Sequence, residues 1–228
     1  MKTTTVRLWD LPTRVFHWLL AAGIAFSWFS AEIGGNWMEW HERSGIFLLS
    51  LILFRIVWGF VGSETSRFAH FIRSPAAAIQ YWKAAKTQPK GTSAYYAGHN
   101  PMGAWMVIAL LGIIGLQGLT GLFATDDIAT EGPLAALVSS DTAELLTTLH
   151  HAIFNLVLLF AVIHIAAVIF YRLVKRTNLI KAMVVGTADW PAAQSQPLGL
   201  QFKPTWLGVG VFALCYVAVY FCIKVLAA

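Results

Sequence analysis

Seven histidines punctuate a chain of 228 residues: His17, His41, His70, His99, His150, His151 and His164. Imidazole carries protons near neutral pH and is the commonest metal ligand, so spacing decides which chemistry is open to it. His150 and His164 lie 14 residues apart in one apolar run. On a helix, that interval leaves two side chains within about 40° of one face and about 21 Å apart along the axis. His151 is about 140° out of phase with His164 by the same geometry. His150, not His151, therefore shares the face of His164. A helix that shows two imidazoles at two depths calls for two opposing groups, one at each depth.

The elements that must position these groups are membrane helices. Hydrophobic residues make up 57% of the chain and charged residues 12%, about half the charged share of a soluble domain. Five stretches approach the roughly 20 apolar residues a membrane span requires. They run from about Arg14 to Ala31, Trp40 to Val61, Pro101 to Ala124, Leu145 to Val174 and Thr205 to Leu226. Pro12, Pro101 and Pro204 sit at or near helix starts, where a missing N–H does no harm. Residues 62–100 include the run from Pro75 to Lys83, which reads as a short interfacial helix. Residues 186–204 hold Pro191, Pro197 and Pro204 and read as a cytoplasmic linker. The expected organisation is a core over 1–185, that linker over 186–204, and a fifth transmembrane helix over 205–228.

Thirteen of the 16 basic residues fall in the N-terminal segment and in the loops after the second and fourth spans. The alternate side carries Glu32, Glu39, Glu42, Asp126, Asp127, Glu131, Asp141 and Glu144. The positive-inside rule then sets the N-terminus in the cytoplasm and the C-terminus outside; the resemblance described below implies a bacterial inner membrane, with that C-terminus in the periplasm. The net charge of +5 is thus a topology signal and does not mark a nucleic-acid surface. Cys215 and Cys222 lie inside an apolar run and read as apolar filler. No C-x-x-C-H motif is present, which argues against covalent haem attachment. No small-residue cleavage site follows a short apolar core, so the first run reads as a retained helix.

With the spans oriented, depths can be matched. His17 starts the first span on the cytoplasmic side, where His164 also falls. His41 starts the second span on the periplasmic side, level with His150. Each layer offers two imidazoles with no acid or cysteine nearby. Zinc wants four ligands, or three and a water, whereas two facing imidazoles fill both axial positions of a haem. Gly45, four residues after His41, leaves room for a ring on the same face. Gly112, Gly115, Gly118 and Gly121 allow either such an approach or close helix packing. Arg55, 14 residues after His41, is placed to pair with a propionate of the inner haem, or to snorkel to the interface. His99 and Asn100, at the start of the third span, are candidates for a quinone site, or simply turn and cap the helix. His70 and His99 are not expected to be axial ligands, and His151 is read as a neighbouring donor or solvent-facing.

These residues resemble the bacterial cytochrome b561 and nickel-dependent hydrogenase cytochrome b subunit family. The similarity is carried by Val6-Arg-Leu-Trp-Asp-Leu-Pro-Thr-Arg-Val-Phe-His-Trp, Trp40-His-Glu-Arg-Ser-Gly, Arg55-Ile-Val-Trp-Gly-Phe-Val-Gly, Gly98-His-Asn-Pro-Met-Gly, Leu119-Thr-Gly-Leu-Phe and the run from His150 to His164. It covers residues 6–188. It implies an all-α integral membrane protein: a four-helix haem-binding bundle plus a fifth C-terminal transmembrane helix. It also implies two b haems, with axial ligands at His17, His41, His150 and His164. One departure is His151, where family members often carry an acid. The implied function is electron transfer between the quinone pool and a periplasmic redox partner, an enzyme or a c-type cytochrome. The acidic stretch from Asp126 to Glu144 could dock such a partner, or serve only as a solvated connection. Two other classes fit less well: a stand-alone quinone oxidoreductase using a small reductant such as superoxide at the outer haem, and a metal transporter.

Overall fold

The computed structural model describes residues 3–87, 95–126, 130–191 and 199–228. Asp127 and Pro197, named above, and Lys2 and Lys90, two of the thirteen basic residues counted there, lie outside them. The described elements run β1 (Thr3–Arg7), α1 (Leu11–Ile33), α2 (Met38–Val61), α3 (Phe68–Phe71), α4 (Pro75–Thr87), α5 (Pro101–Gly121), α6 (Ser140–Leu173), α7 (Leu179–Val185), β2 (Thr187–Pro191) and α8 (Thr205–Leu226). Among the described residues five helices are long and apolar enough to cross a membrane: α1, α2, α5, α6 and α8. Residues of the chain gather into two compact units.

The first unit comprises Met1–Val15, Val57–Ala109 and Ala161–Gly208. Its β1 pairs antiparallel with β2, from Thr3 opposite Pro191 to Arg7 opposite Thr187. Three threonines and a valine give β1 the β-branched character that suits a strand. Leu8, Trp9, Ala182 and Trp190 form a buried cluster beside the pair. Gly186 makes the junction. Its φ of 85° closes α7 in a left-handed cap, and its carbonyl accepts the N–H groups of Leu8 (2.8 Å) and Trp9 (3.1 Å).

Asp10 anchors the start of α1 and is fully buried. Its Oδ1 accepts the Thr13 N–H at 2.8 Å, an N-terminal cap. Its Oδ2 accepts Trp58 Nε1–H at 3.0 Å and the Ser66 hydroxyl at 3.4 Å. Trp58 is likewise fully buried. One carboxylate thus ties the first turn of α1 to the last turns of α2.

The second unit comprises Phe16–Ile56, Leu110–Phe160 and Val209–Ala228. Small residues let its helices approach closely, as is usual where lipid removes a hydrophobic drive between helices. A Cβ on Gly23 would fall 2.8 Å from Leu48, and one on Gly118 would fall 2.6 Å from Leu49. Phe212 brings α8 onto α2 through Phe47 and Phe54, at ring distances of 5.8 and 6.0 Å. Beyond α5 the chain folds back, with Gly132 N–H on the Ala124 carbonyl (2.7 Å) and Leu134 N–H on that of Leu122 (2.8 Å).

The spans agree with expectation in number and order, and differ at their ends. α1 begins at Leu11 instead of Arg14 because Asp10 caps it. α6 begins at Ser140 instead of Leu145 because the Ser139 hydroxyl accepts the Thr142 N–H at 3.3 Å and stabilises a polar first turn. α4 covers the expected interfacial helix. The linker differs most: Thr187–Pro191 is a strand, held by the N-terminal segment.

Candidate functional site

The clearest site lies in the second unit. His41 starts α2 and His150 lies ten residues into α6; their ring centres are 6.0 Å apart with planes at 85°. Each imidazole is held from behind. His41 Nδ1 lies 2.8 Å from the Ser27 carbonyl on α1. His150 Nδ1 lies 2.9 Å from the Gln117 carbonyl on α5. A carbonyl only accepts, so both Nδ1 atoms carry the proton and both Nε2 atoms keep a lone pair. Such a backbone acceptor behind Nδ1 is what orients metal-binding histidines. The Gln117 side-chain amide donates to the His150 lone pair at 3.1 Å, so it must swing aside where that lone pair binds a metal.

The pair fits a haem iron. The 6.0 Å between ring centres suits two imidazoles that would together hold one haem iron. The glycines divide by role. A Cβ on Gly45 or Gly112 would meet nothing within 4 Å, so open space flanks these positions. Gly118 serves helix packing against Leu49, as described. Gly121 seats the histidine, since a Cβ there would fall 2.8 Å from His150 Cε1. His151 is exposed, as its helical phase requires. Among the described residues no three His, Cys, Asp or Glu side chains gather as a metal-ion site.

The other two intramembrane histidines are half-buried. His17 lies in the second unit, its ring edge-on to Trp18 at 4.9 Å. His164 lies in the first unit, on the same unbroken α6 as His150. Arg55, in the second unit, is 2% exposed, which does not suit a side chain snorkelling to solvent.

His99 and Asn100 belong to the first unit and part company there. The His99 ring is sandwiched between Trp9 (4.8 Å) and Phe71 (4.7 Å). It lines a cavity of about 170 Å³ with His70, Arg73 and Tyr96. His70 itself donates to the Ala97 carbonyl at 3.1 Å. Asn100 caps α5 by accepting the Gly103 N–H at 2.8 Å, and its amide donates to the Tyr171 hydroxyl at 3.0 Å. Tyr171 shares a 2.6 Å hydrogen bond with Tyr81. Burial, and then the bond to Tyr171, push the Tyr81 phenol well above its ordinary pKa. Tyr81 therefore stays neutral beside a second cavity of about 350 Å³, lined also by Gln80 and Tyr96.

The family model described as Prokaryotic cytochrome b561 matches residues 8–186. The chain belongs to this family. It is also similar to a protein of Rhodobacter capsulatus described as "Probable Ni/Fe-hydrogenase B-type cytochrome subunit", at 25% identity over 221 residues that cover 81% of this chain and 82% of the relative. No solved structure matches the chain. As a cytochrome b561 family member it is a helical membrane protein of the b-haem electron-transfer class. Ser27 and Gln117 at the His41–His150 pair, and Tyr81 and Tyr171 beside the second cavity, are residues that histidine spacing does not reveal. Asp10, which caps α1 and is part of neither site, carried a readable signal as an acid immediately before a helix start.

Proposed function

We propose that the chain is a two-haem relay that carries electrons across the bacterial inner membrane, between the quinone pool and a periplasmic redox partner. The observation that carries this reading is the meeting of His41 and His150 at 6.0 Å, with each Nδ1 on a backbone carbonyl. His41 and His150 would hold the outer haem, and His17 and His164 the inner one. A bound b haem supplies a one-electron couple. The Ser27 and Gln117 carbonyls fix each imidazole with Nε2 forward. Gly45 leaves space beside His41, and Arg55 supplies a buried positive charge suited to an inner-haem propionate. The 14-residue interval on α6 rises about 21 Å, most of an apolar core about 30 Å thick. The distribution of basic residues supports a cytoplasmic N-terminus and a periplasmic C-terminus.

The cavity beside His99 supports a quinone site near the inner haem. Asn100 would act from the second cavity, through the tyrosine pair, since its own oxygen is engaged in capping α5. The partner would be a periplasmic enzyme or c-type cytochrome, and the acidic stretch from Asp126 to Glu144 suits a basic docking face.

The test is reduction of ferricyanide trapped inside proteoliposomes by quinol added outside. The intact chain should support transfer, and His150→Ala or His164→Ala should reduce it to the protein-free rate. Transfer unaffected by either variant would contradict the relay. His99→Ala should retain both haems but slow reduction by quinol; unchanged kinetics would remove the quinone site from that cavity.

A further inference from the structure

We propose that Ser30 raises the reduction potential of the haem that His41 and His150 would hold, through the hydrogen bond behind the His41 imidazole. This rests on the outer-site reading above. The Ser27 carbonyl accepts His41 Nδ1–H at 2.8 Å. Pulling on that proton gives the ring imidazolate character and makes Nε2 a stronger donor. A stronger donor favours the ferric state and lowers the potential.

Ser30 limits that pull. Its hydroxyl donates to the same Ser27 carbonyl at 2.9 Å, and a second donor on one carbonyl weakens its hold on the first. Ser30 is fully buried, so water does not compete for its proton. The Ser27 hydroxyl, 3.2 Å from the same Nδ1, is untouched by the variants below. Behind His150 the Thr120 hydroxyl stands near both the Gln117 carbonyl (3.0 Å) and Nδ1 (3.3 Å), so its two effects oppose each other and it makes no counterpart to Ser30.

The experiment is an optical redox titration of the purified full chain, with haem content measured on each sample. Ser30→Ala removes the second donor; the outer-haem potential should fall, and the inner should not move. Ser30→Thr keeps a hydroxyl and should restore it. With haem content intact, an outer potential that is unmoved or raised in Ser30→Ala would overturn the proposal. If His150→Ala leaves haem content unchanged, the outer-site reading itself fails, and the proposal with it.

Discussion

Gly121 lacks a side chain where His150 needs the space. A Cβ there would stand 2.8 Å from the imidazole, against backbone fixed in a helix. Gly121→Val should therefore tilt the ring off its carbonyl and cost roughly 10- to 100-fold in affinity for the outer haem, the usual penalty for disturbing a ligand's support. Haem retention during dilution measures this, and wild-type retention would show that the seat is not needed. Arg55 makes a contrasting case. Arg55→Leu should shift the potential of the inner haem and leave the outer unchanged, because the charge sits toward the far end of α2 from His41. Equal shifts in both would contradict the assignment. At this scale the meeting of His41 and His150 was legible from depth and helical phase, which match the two and separate His150 from His151. Their supports were not. Ser27 and Gln117 act through backbone carbonyls, which every residue has, and only the packed helices show which carbonyl faces an imidazole.

The helix starts depend on caps, and Asp10 carries the heaviest duty. Its carboxylate caps α1 and also accepts from Trp58 and Ser66. Asp10→Ala removes a cap worth about 1 kcal/mol and leaves a buried indole N–H without its acceptor, at about 1–3 kcal/mol. A loss of roughly 2–4 kcal/mol in unfolding free energy should follow, with Asp10→Asn milder because it keeps the cap oxygen. Denaturation in detergent checks this; an unchanged midpoint would refute the clamp. Apolar length made the five spans readable, while their ends were set by polar residues just outside the apolar runs. β2 was hidden for a different reason. Its partner Thr3–Arg7 lies at the opposite end of the sequence, and proline-rich spacing around Pro191 resembles a linker until a strand of threonines pairs with it.

At the scale of the whole molecule, the account is an oriented conductor. Thirteen of 16 basic residues fall on the side assigned to the cytoplasm, and the proposed topology would put Ala228 in the periplasm. In a background with Cys215 and Cys222 replaced by serine, Ala228→Cys should react with a membrane-impermeant maleimide added to intact spheroplasts. Protection until lysis would reverse the topology and move the partner to the cytoplasmic face. Family and membrane character were legible in the sequence because motifs and apolar spans are local. The redox partner is not, since a docking face is a matter of surface shape and charge contributed by both proteins.

The central claim is that α6 bears one ligand for each of two haems. It is tested most directly by haem-to-protein stoichiometry in the wild type, His17→Ala, His41→Ala, His150→Ala, His164→Ala and His151→Ala. The account predicts two haems in the wild type and in His151→Ala, and loss of one in each of the other four. His17→Ala and His164→Ala should lose the same spectral component, and His41→Ala and His150→Ala the other. Full haem content in His150→Ala, or loss in His151→Ala, would contradict it.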